Sequence, residues 1–122
     1  MPTIDPLRID HVQVAMPVGG EAAARAFFGG MLGLPEIPKP PALAARGGCW
    51  FAVGALQLHL GAEADFRPAR KAHVALCSSS IGSIRQRLEA AGITVYDEAS
   101  VGGRARFFTA DPFGNRIEFI AA

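Results

Sequence analysis

The chain has 122 residues, half of them hydrophobic, and its 12 basic and 11 acidic side chains leave a net charge of +1. This length suits a single domain with its own core, and the hydrophobicity excludes an intrinsically disordered chain. No basic surface indicates nucleic acid, no apolar run reaches the ~18 residues of a membrane span, and the first ten residues lack a signal-peptide pattern. These features predict a protein that binds neither nucleic acid nor membrane. Since two cysteines make no disulfide framework, we expect it to be cytoplasmic.

The first half of the chain predicts a strand, a helix and two further strands. The strands are predicted at Arg8–Met16, Cys49–Val53 and Leu56–Leu60. A helix follows the glycine pair at 19–20, and residues three or four apart form its apolar face: Ala24, Phe27, Phe28 and Met31. The proline-rich residues 35–41 predict a loop or an irregular edge strand, and residues 61–70 a polar connector.

The second half repeats this pattern. Strands are predicted at Lys71–Cys77, Ile93–Tyr96, Arg104–Ala110 and Arg116–Ala121. The serines at 78–80 supply a helix N-cap and Gly92 a helix C-cap. The apolar face between these caps consists of Ile81, Ile84, Leu88 and Ala91. Turns are predicted at 102–103 and 111–115.

The order βαβββ therefore occurs twice, and the residue spacings support a duplication. His11 lies 22 residues before Gly33 and His73 lies 19 before Gly92, whereas His59 and Glu118 each lie 26 residues after those glycines. His11 is thus equivalent to His73, and His59 to Glu118. We predict an α+β fold in one domain, residues 1–122, with two βαβββ units at 8–61 and 71–121 that form mixed, curved sheets.

These equivalent positions hold all three histidines of the chain and one carboxylate. Two repeated sheets would direct His11, His59, His73 and Glu118 at a common centre, and imidazole with carboxylate favours Mn, Fe, Co, Ni or Zn over Ca or Mg. His59 depends most on strand register, and Gln57, on the same strand face, is the alternative polar group and a candidate substrate-binding residue. Each of these residues alone is more often structural, with Glu118 as an ion-pair partner of a nearby arginine.

The other polar and aromatic candidates are weaker. Arg106 and Arg116 are predicted either to bind a substrate anion or to be surface charges, and Cys77 is read as a small hydrophobe. The aromatic side chains could line a pocket but are more often core: Trp50, Phe51, Phe107 and Phe108. Residues on the opposite strand faces are expected to pack under the helices: Val12, Val14, Leu58, Val74, Leu76, Ile117 and Phe119.

Several segments together resemble the vicinal oxygen chelate superfamily, which includes glyoxalase I, bleomycin-resistance proteins, fosfomycin-resistance enzymes and extradiol dioxygenases. They are IDHV, GMLGL, LQLHLG, KAHVAL, LEAAGI and, most specific of all, RFFTADPFGNRIEFI. The resemblance runs roughly from His11 to Ile120. It implies a U-shaped cleft around a divalent metal ion, held by His11, His59, His73 and Glu118.

The resemblance also implies a class of chemistry. Such an ion keeps two open positions for adjacent substrate oxygens and acts as a Lewis acid, with Glu118 as the catalytic base. We expect an isomerase, lyase or dioxygenase for a small metabolite, working as a homodimer. The alternative is a non-catalytic, drug-sequestering protein of the bleomycin-resistance type. Glyoxalase I usually has glutamate where this chain has His59, so the reaction stays open.

Overall fold

A computed structural model describes all 122 residues, and its eight strands form two four-stranded sheets, one from each half of the chain. The first sheet has the order β1-β4-β3-β2 and consists of β1 (His11–Pro17), β2 (Glu36–Ile37), β3 (Cys49–Val53) and β4 (Leu56–Glu63). The second has the order β5-β8-β7-β6 and consists of β5 (Val74–Ser78), β6 (Tyr96–Val101), β7 (Arg104–Ala110) and β8 (Arg116–Ala121). Both sheets are mixed, so the predicted α+β fold with two βαβββ units is confirmed.

One helical segment crosses each sheet. In the first unit, α1 (Glu21–Ala24) continues as a π-helical stretch, Arg25–Met31, in which Leu32 N–H bonds to the carbonyl of Phe27 at 3.0 Å. Two consecutive glycines, at 29–30, weaken this part of the helix and allow it to widen. A short α2 (Pro41–Ala44) follows β2, and α3 (Ile81–Ala90) crosses the second sheet. None of these helices has the length and apolar character needed to span a membrane.

A single hydrophobic core joins the two units. Phe28 and Phe51 of the first unit and Leu88 and Phe119 of the second are at most 2% exposed and belong to one buried cluster. The predicted core face is largely confirmed, because its other members are buried or packed against this cluster: Val14, Leu58, Val74, Leu76 and Ile117. Val12 is the exception. It is 36% exposed, since it lies near the start of β1 beside an open cavity.

Four details of the sequence prediction are wrong. Residues 93–95 are not in a strand, because the ladder with β7 begins only at Tyr96, while Ile93 and Val95 turn their side chains to the core. The predicted connector begins inside β4, which runs to Glu63. Ser80 occupies the N-cap of α3, but its side chain makes no capping hydrogen bond. The first strand of each unit begins later than predicted, β1 at His11 and not at Arg8, and β5 at Val74, which leaves His73 one residue before the strand.

The strand register repeats between the units. Val12 pairs with Leu58 across β1 and β4, and Val74 pairs with Ile117 across β5 and β8. His59 and Glu118 are the next residues in each case, and each has an aromatic partner on the adjacent antiparallel strand, Trp50 and Phe108. The equal spacings of His59 and Glu118 in the sequence thus correspond to equivalent positions of these two residues in the two sheets.

Candidate metal centre

The first sheet holds two of the predicted ligands in a stack of parallel rings. The ring centroids of His11 and His59 are 4.3 Å apart, and those of His59 and Trp50 are 3.9 Å apart. This follows from register, because His59 lies on β4 between Gln13 of β1 and Trp50 of β3. The stack covers His59, which is only 4% exposed. Burial, and then the neighbouring His11, lower the pKa of His59, so this imidazole is neutral at neutral pH.

Hydrogen bonds fix the orientation of both rings. His11 Nδ1 donates to Asp10 Oδ2 at 2.9 Å, which leaves its Nε2 lone pair free. His59 Nε2 donates to Gln57 Oε1 at 2.9 Å. His59 and Gln57 therefore share one strand face and contact each other. The sequence offered them as alternative polar groups at this place, and in the structure both side chains lie there.

The second sheet holds the other two predicted ligands in direct contact. His73 Nε2 is 3.0 Å from Glu118 Oε1, and His73 Nδ1 donates to the backbone carbonyl of Lys71 at 3.0 Å. The carboxylate is shielded, since the side chain of Glu118 is 9% exposed. Its other oxygen, Oε2, is 3.5 Å from Nη1 of Arg106.

The aromatic ring of Phe108 lies beside the His73–Glu118 pair. Its ring meets the ring of His73 edge-on at 5.1 Å, and the guanidinium of Arg116 lies over it at 3.8 Å from the centroid. Phe108 is buried but lies outside the hydrophobic core cluster. Arg106 also donates to the carbonyl of Ala99 at 2.9 Å, whereas Arg116 makes no ion pair. The structure therefore separates the two arginines into one that pairs with Glu118 and one without an acidic partner.

The four predicted ligands thus form two pairs, His11 with His59 and His73 with Glu118. Within the chain, no group of three or more His, Cys, Asp or Glu side chains is placed to hold one ion. A largely apolar cavity of about 550 Å³ lies between the sheets, lined on one side by Gln57 and on the other by His73. The expected convergence on one centre is not present within a single chain.

The chemistry of each pair nevertheless fits a divalent transition metal ion. Because a carbonyl can only accept, Nδ1 of His73 carries the hydrogen and Nε2 is available as a ligand. Nε2 and Oε1 of Glu118, 3.0 Å apart, have the spacing of two adjacent ligands that each lie ~2.1 Å from an octahedral ion. Asp10 orients His11 in the same manner.

Sequence reasoning missed part of this arrangement. It treated Trp50 and Phe108 as core, yet only their neighbours Phe51 and Phe107 are core, while these two share a strand face with His59 and Glu118. Strand alternation within each pair of aromatic residues was the available signal. No comparable signal existed for the backbone carbonyl of Lys71, because its role depends on the bend before β5.

Comparison with known proteins identifies the family. The sequence matches the model of the Glyoxalase/Bleomycin resistance protein/Dioxygenase superfamily over residues 8–119. The chain therefore belongs to this superfamily. Among curated proteins, none matches the sequence.

Solved structures agree with this assignment. The chain is similar to a glyoxalase family protein from Bacillus anthracis, with 48% identity, coverage of 98% of both chains and a TM-score of 0.92. Two more distant structures share the fold. One is lactoylglutathione lyase from Agrobacterium tumefaciens (19% identity, 97% of this chain and 96% of that one, TM-score 0.76). The other is TnmS3, an antibiotic binding protein from Streptomyces sp. CB03234 (18% identity, 98% of each chain, TM-score 0.77).

Proposed function

We propose that this protein is a divalent-metal-dependent enzyme of the glyoxalase or dioxygenase type. Its substrate is a small anionic metabolite with two adjacent oxygen atoms, and the reaction is an isomerisation, a lyase reaction or a dioxygenation. The observation that carries this proposal is the contact between Nε2 of His73 and Oε1 of Glu118 at 3.0 Å. Since Nδ1 of His73 already donates to Lys71, these two acceptor atoms need a proton or a cation between them.

A second copy of the chain completes the site in this proposal. One chain supplies His11 and His59, and its partner supplies His73 and Glu118. The outer edges of β1 and β5 support this assembly, because each strand pairs on one side only and the apolar cavity of about 550 Å³ lies between them. Exposed apolar edge strands are normally covered in soluble proteins. A two-fold dimer would form two such sites, each joining complementary pairs.

An ion held by these two pairs of residues would supply Lewis acidity for the two adjacent oxygens of the substrate. Glu118 is the carboxylate that can accept a substrate proton, through the oxygen that is not used as a ligand. Arg106, whose Nη1 is 3.5 Å from Oε2, keeps this oxygen in place. Gln57 holds His59, and its hydrogen bond to Nε2 must break if His59 binds through that atom.

Arg116 is the residue that we assign to the anionic group of the substrate. Arg116 is half-buried, its guanidinium lies over the ring of Phe108 at 3.8 Å from the centroid, and it has no acidic partner. The edge of a stacked guanidinium keeps its N–H donors free for a carboxylate. Arg106 is better placed to hold Glu118 than to bind substrate, so the two predicted substrate-binding arginines take different roles.

Metal uptake tests this proposal. Protein purified without an affinity tag is stripped with EDTA and then incubated in turn with Mn²⁺, Fe²⁺, Co²⁺, Ni²⁺ and Zn²⁺. We expect one of these ions to bind at about one per chain. Glu118→Gln and His73→Gln should abolish uptake and His59→Gln should weaken it, whereas the control Glu98→Gln, an exposed carboxylate on β6, should retain it. If the wild-type protein binds none of the ions stoichiometrically, the enzyme proposal is wrong.

A metal-free binding protein is the second candidate. The observation in its favour is the cavity of about 550 Å³, nine of whose twelve lining residues are hydrophobic. Such a cavity can accept an apolar ligand without any ion. This candidate predicts that a hydrophobic ligand binds with equal affinity to EDTA-treated wild-type protein and to Glu118→Gln.

A further inference from the structure

A second, smaller pocket lies on the first sheet, beside the His11–His59–Trp50 stack. Its walls are formed by β1, β3, β4 and the segment between β2 and β3, and it has a volume of about 180 Å³. At ~30 Å³ per water molecule this is room for about six waters, or for an organic molecule of similar size. Gln13 and Trp50, the two neighbours of His59 across the strands, both line it.

The pocket is positively charged. Lys39 and Arg46 line it, and none of its lining residues is acidic. The ammonium of Lys39 donates to the carbonyl of Gly47, and Arg46 makes neither an ion pair nor a side-chain hydrogen bond, since the paired arginines are Arg25, Arg85 and Arg106. A nearby carboxylate, Glu21, interacts electrostatically with Lys39, but its Oε2 accepts from Gly48 N–H at 2.8 Å and it forms an ion pair with neither cation. Two cations at one opening therefore favour an anionic group.

The remaining walls combine one amide with apolar surface. The amide of Gln13 lies across β4 at Gly61, where a Cβ atom would come within 2.6 Å of Nε2. A glycine at this position therefore makes room for the amide. Leu43 and Trp50 add apolar surface, and four of the nine lining residues are hydrophobic. A pocket that is cationic on one side and apolar on the other suits an organic acid better than inorganic phosphate.

We propose that this pocket binds the carboxylate of a small organic acid, with the carboxylate on Arg46 and Lys39 and the carbon chain against Trp50 and Leu43. The link to substrate rests on the proposed function, because the shared wall with His59 places this carboxylate at one end of a substrate bound at the metal centre, as a second anionic group in addition to the one assigned to Arg116. Binding itself requires neither the ion nor a second copy.

Metal-stripped protein and a minimal probe test the pocket directly. Trp50 is the only tryptophan, so its indole N–H gives a single resonance in a ¹H–¹⁵N spectrum and reports on this wall alone. We expect butyrate, which has six heavy atoms, to shift this resonance saturably, while neutral butyramide and inorganic phosphate leave it nearly unchanged. Arg46→Gln should weaken butyrate binding by about tenfold, the loss of one charge-assisted hydrogen bond.

Arg67→Gln is the matched control, because Arg67 is an exposed arginine outside the pocket and has no ion-pair partner. It should bind butyrate as the wild-type protein does. The proposal is overturned if butyrate leaves the Trp50 resonance unchanged, if butyramide or phosphate binds equally well, or if the two arginine variants behave alike. Since the titration contains no metal, such a failure leaves metal uptake standing. A failure of metal uptake would in turn leave the proposal of carboxylate binding in this pocket standing.

Discussion

The two arginines on the Glu118 face differ in what surrounds them. Arg106 has a side chain that is 22% exposed, lies near Oε2 of Glu118 and donates to a backbone carbonyl. Arg116 has only the ring of Phe108 beneath it. Sequence reasoning treated them alike because both alternate with hydrophobic residues on neighbouring strands. Their roles depend on cross-strand partners, which no local pattern reveals.

Replacing each arginine with methionine should separate these roles. We expect Arg106→Met to lower the free energy of unfolding by about 1–2 kcal/mol, because it leaves a shielded carboxylate without its cation. Arg116→Met should cost less than about 1 kcal/mol, the stacking contribution alone. Urea denaturation of both variants measures the difference. Equal losses of stability would contradict the separate roles.

His59 makes the stability of the metal-stripped protein depend on pH. Burial lowers its pKa in the folded chain below the ordinary value of 6.5. The unfolded chain therefore takes up a proton at a pH where the folded chain does not, and acidification favours unfolding. We expect stability to fall as the pH drops below about 6.5.

Thermal unfolding between pH 5 and 8, in the presence of EDTA, measures this effect. His59→Gln removes the titrating group and should give a flatter profile over the same range. A wild-type profile that does not decline below pH 6.5, or a decline that His59→Gln leaves unchanged, would contradict the buried, neutral state of His59.

At the scale of elements, periodicity located the two longer helical segments and six of the eight strands, but not the four-residue α2. The helix faces through Phe28 and Leu88 are buried as their spacing predicts. The start of β6 was misplaced because apolar side chains indicate burial and not backbone hydrogen bonding. Ile93 and Val95 are packed against the core in a loop, and the ladder begins only where the backbone of Tyr96 meets β7.

The turn at 111–115 ties the two units together through one buried amide. Asn115 Nδ2 donates to Asp111 Oδ2 and to the carbonyl of Ala15, both at 2.8 Å, and its Oδ1 accepts from Ala69 N–H at 2.9 Å. Ala15 lies in β1 of the other unit. This explains why the most specific sequence segment contains a turn, because the side chain of Asn115 in that turn joins elements that are far apart in the chain.

Asn115→Ala should therefore destabilise the protein by about 2–3 kcal/mol, because it removes the partner of the buried Asp111 carboxylate and of two part-buried backbone groups, Ala69 N–H and the carbonyl of Ala15. Ser83→Ala, on the surface of α3, is a suitable control and should change stability by less than about 0.5 kcal/mol. Urea denaturation followed by far-ultraviolet circular dichroism measures both variants. A loss below about 0.5 kcal/mol in Asn115→Ala would show that the turn is not the link between the units.

For the whole molecule, sequence spacing identified the equivalent residues but not how the units face each other. The register places His59 and Glu118 at matching positions of two sheets. Whether matching positions converge depends on the packing of one sheet against another, which a non-local core determines. The pairs His11–His59 and His73–Glu118 remain separate within the chain, and a single ion bound by both pairs requires a second copy of the chain.

Mixed dimers test this requirement most directly. His59→Gln and Glu118→Gln proteins are each stripped of metal, mixed in equal amounts, allowed to exchange subunits and assayed for uptake of the ion that the wild-type protein binds. If the site lies between copies, a mixed dimer contains one intact site, so the mixture should bind at least about a quarter of an ion per chain, more than the mean of the two variants measured separately. If the mixture binds no more than the mean of the two separate variants while subunit exchange is demonstrated, the site does not lie between copies.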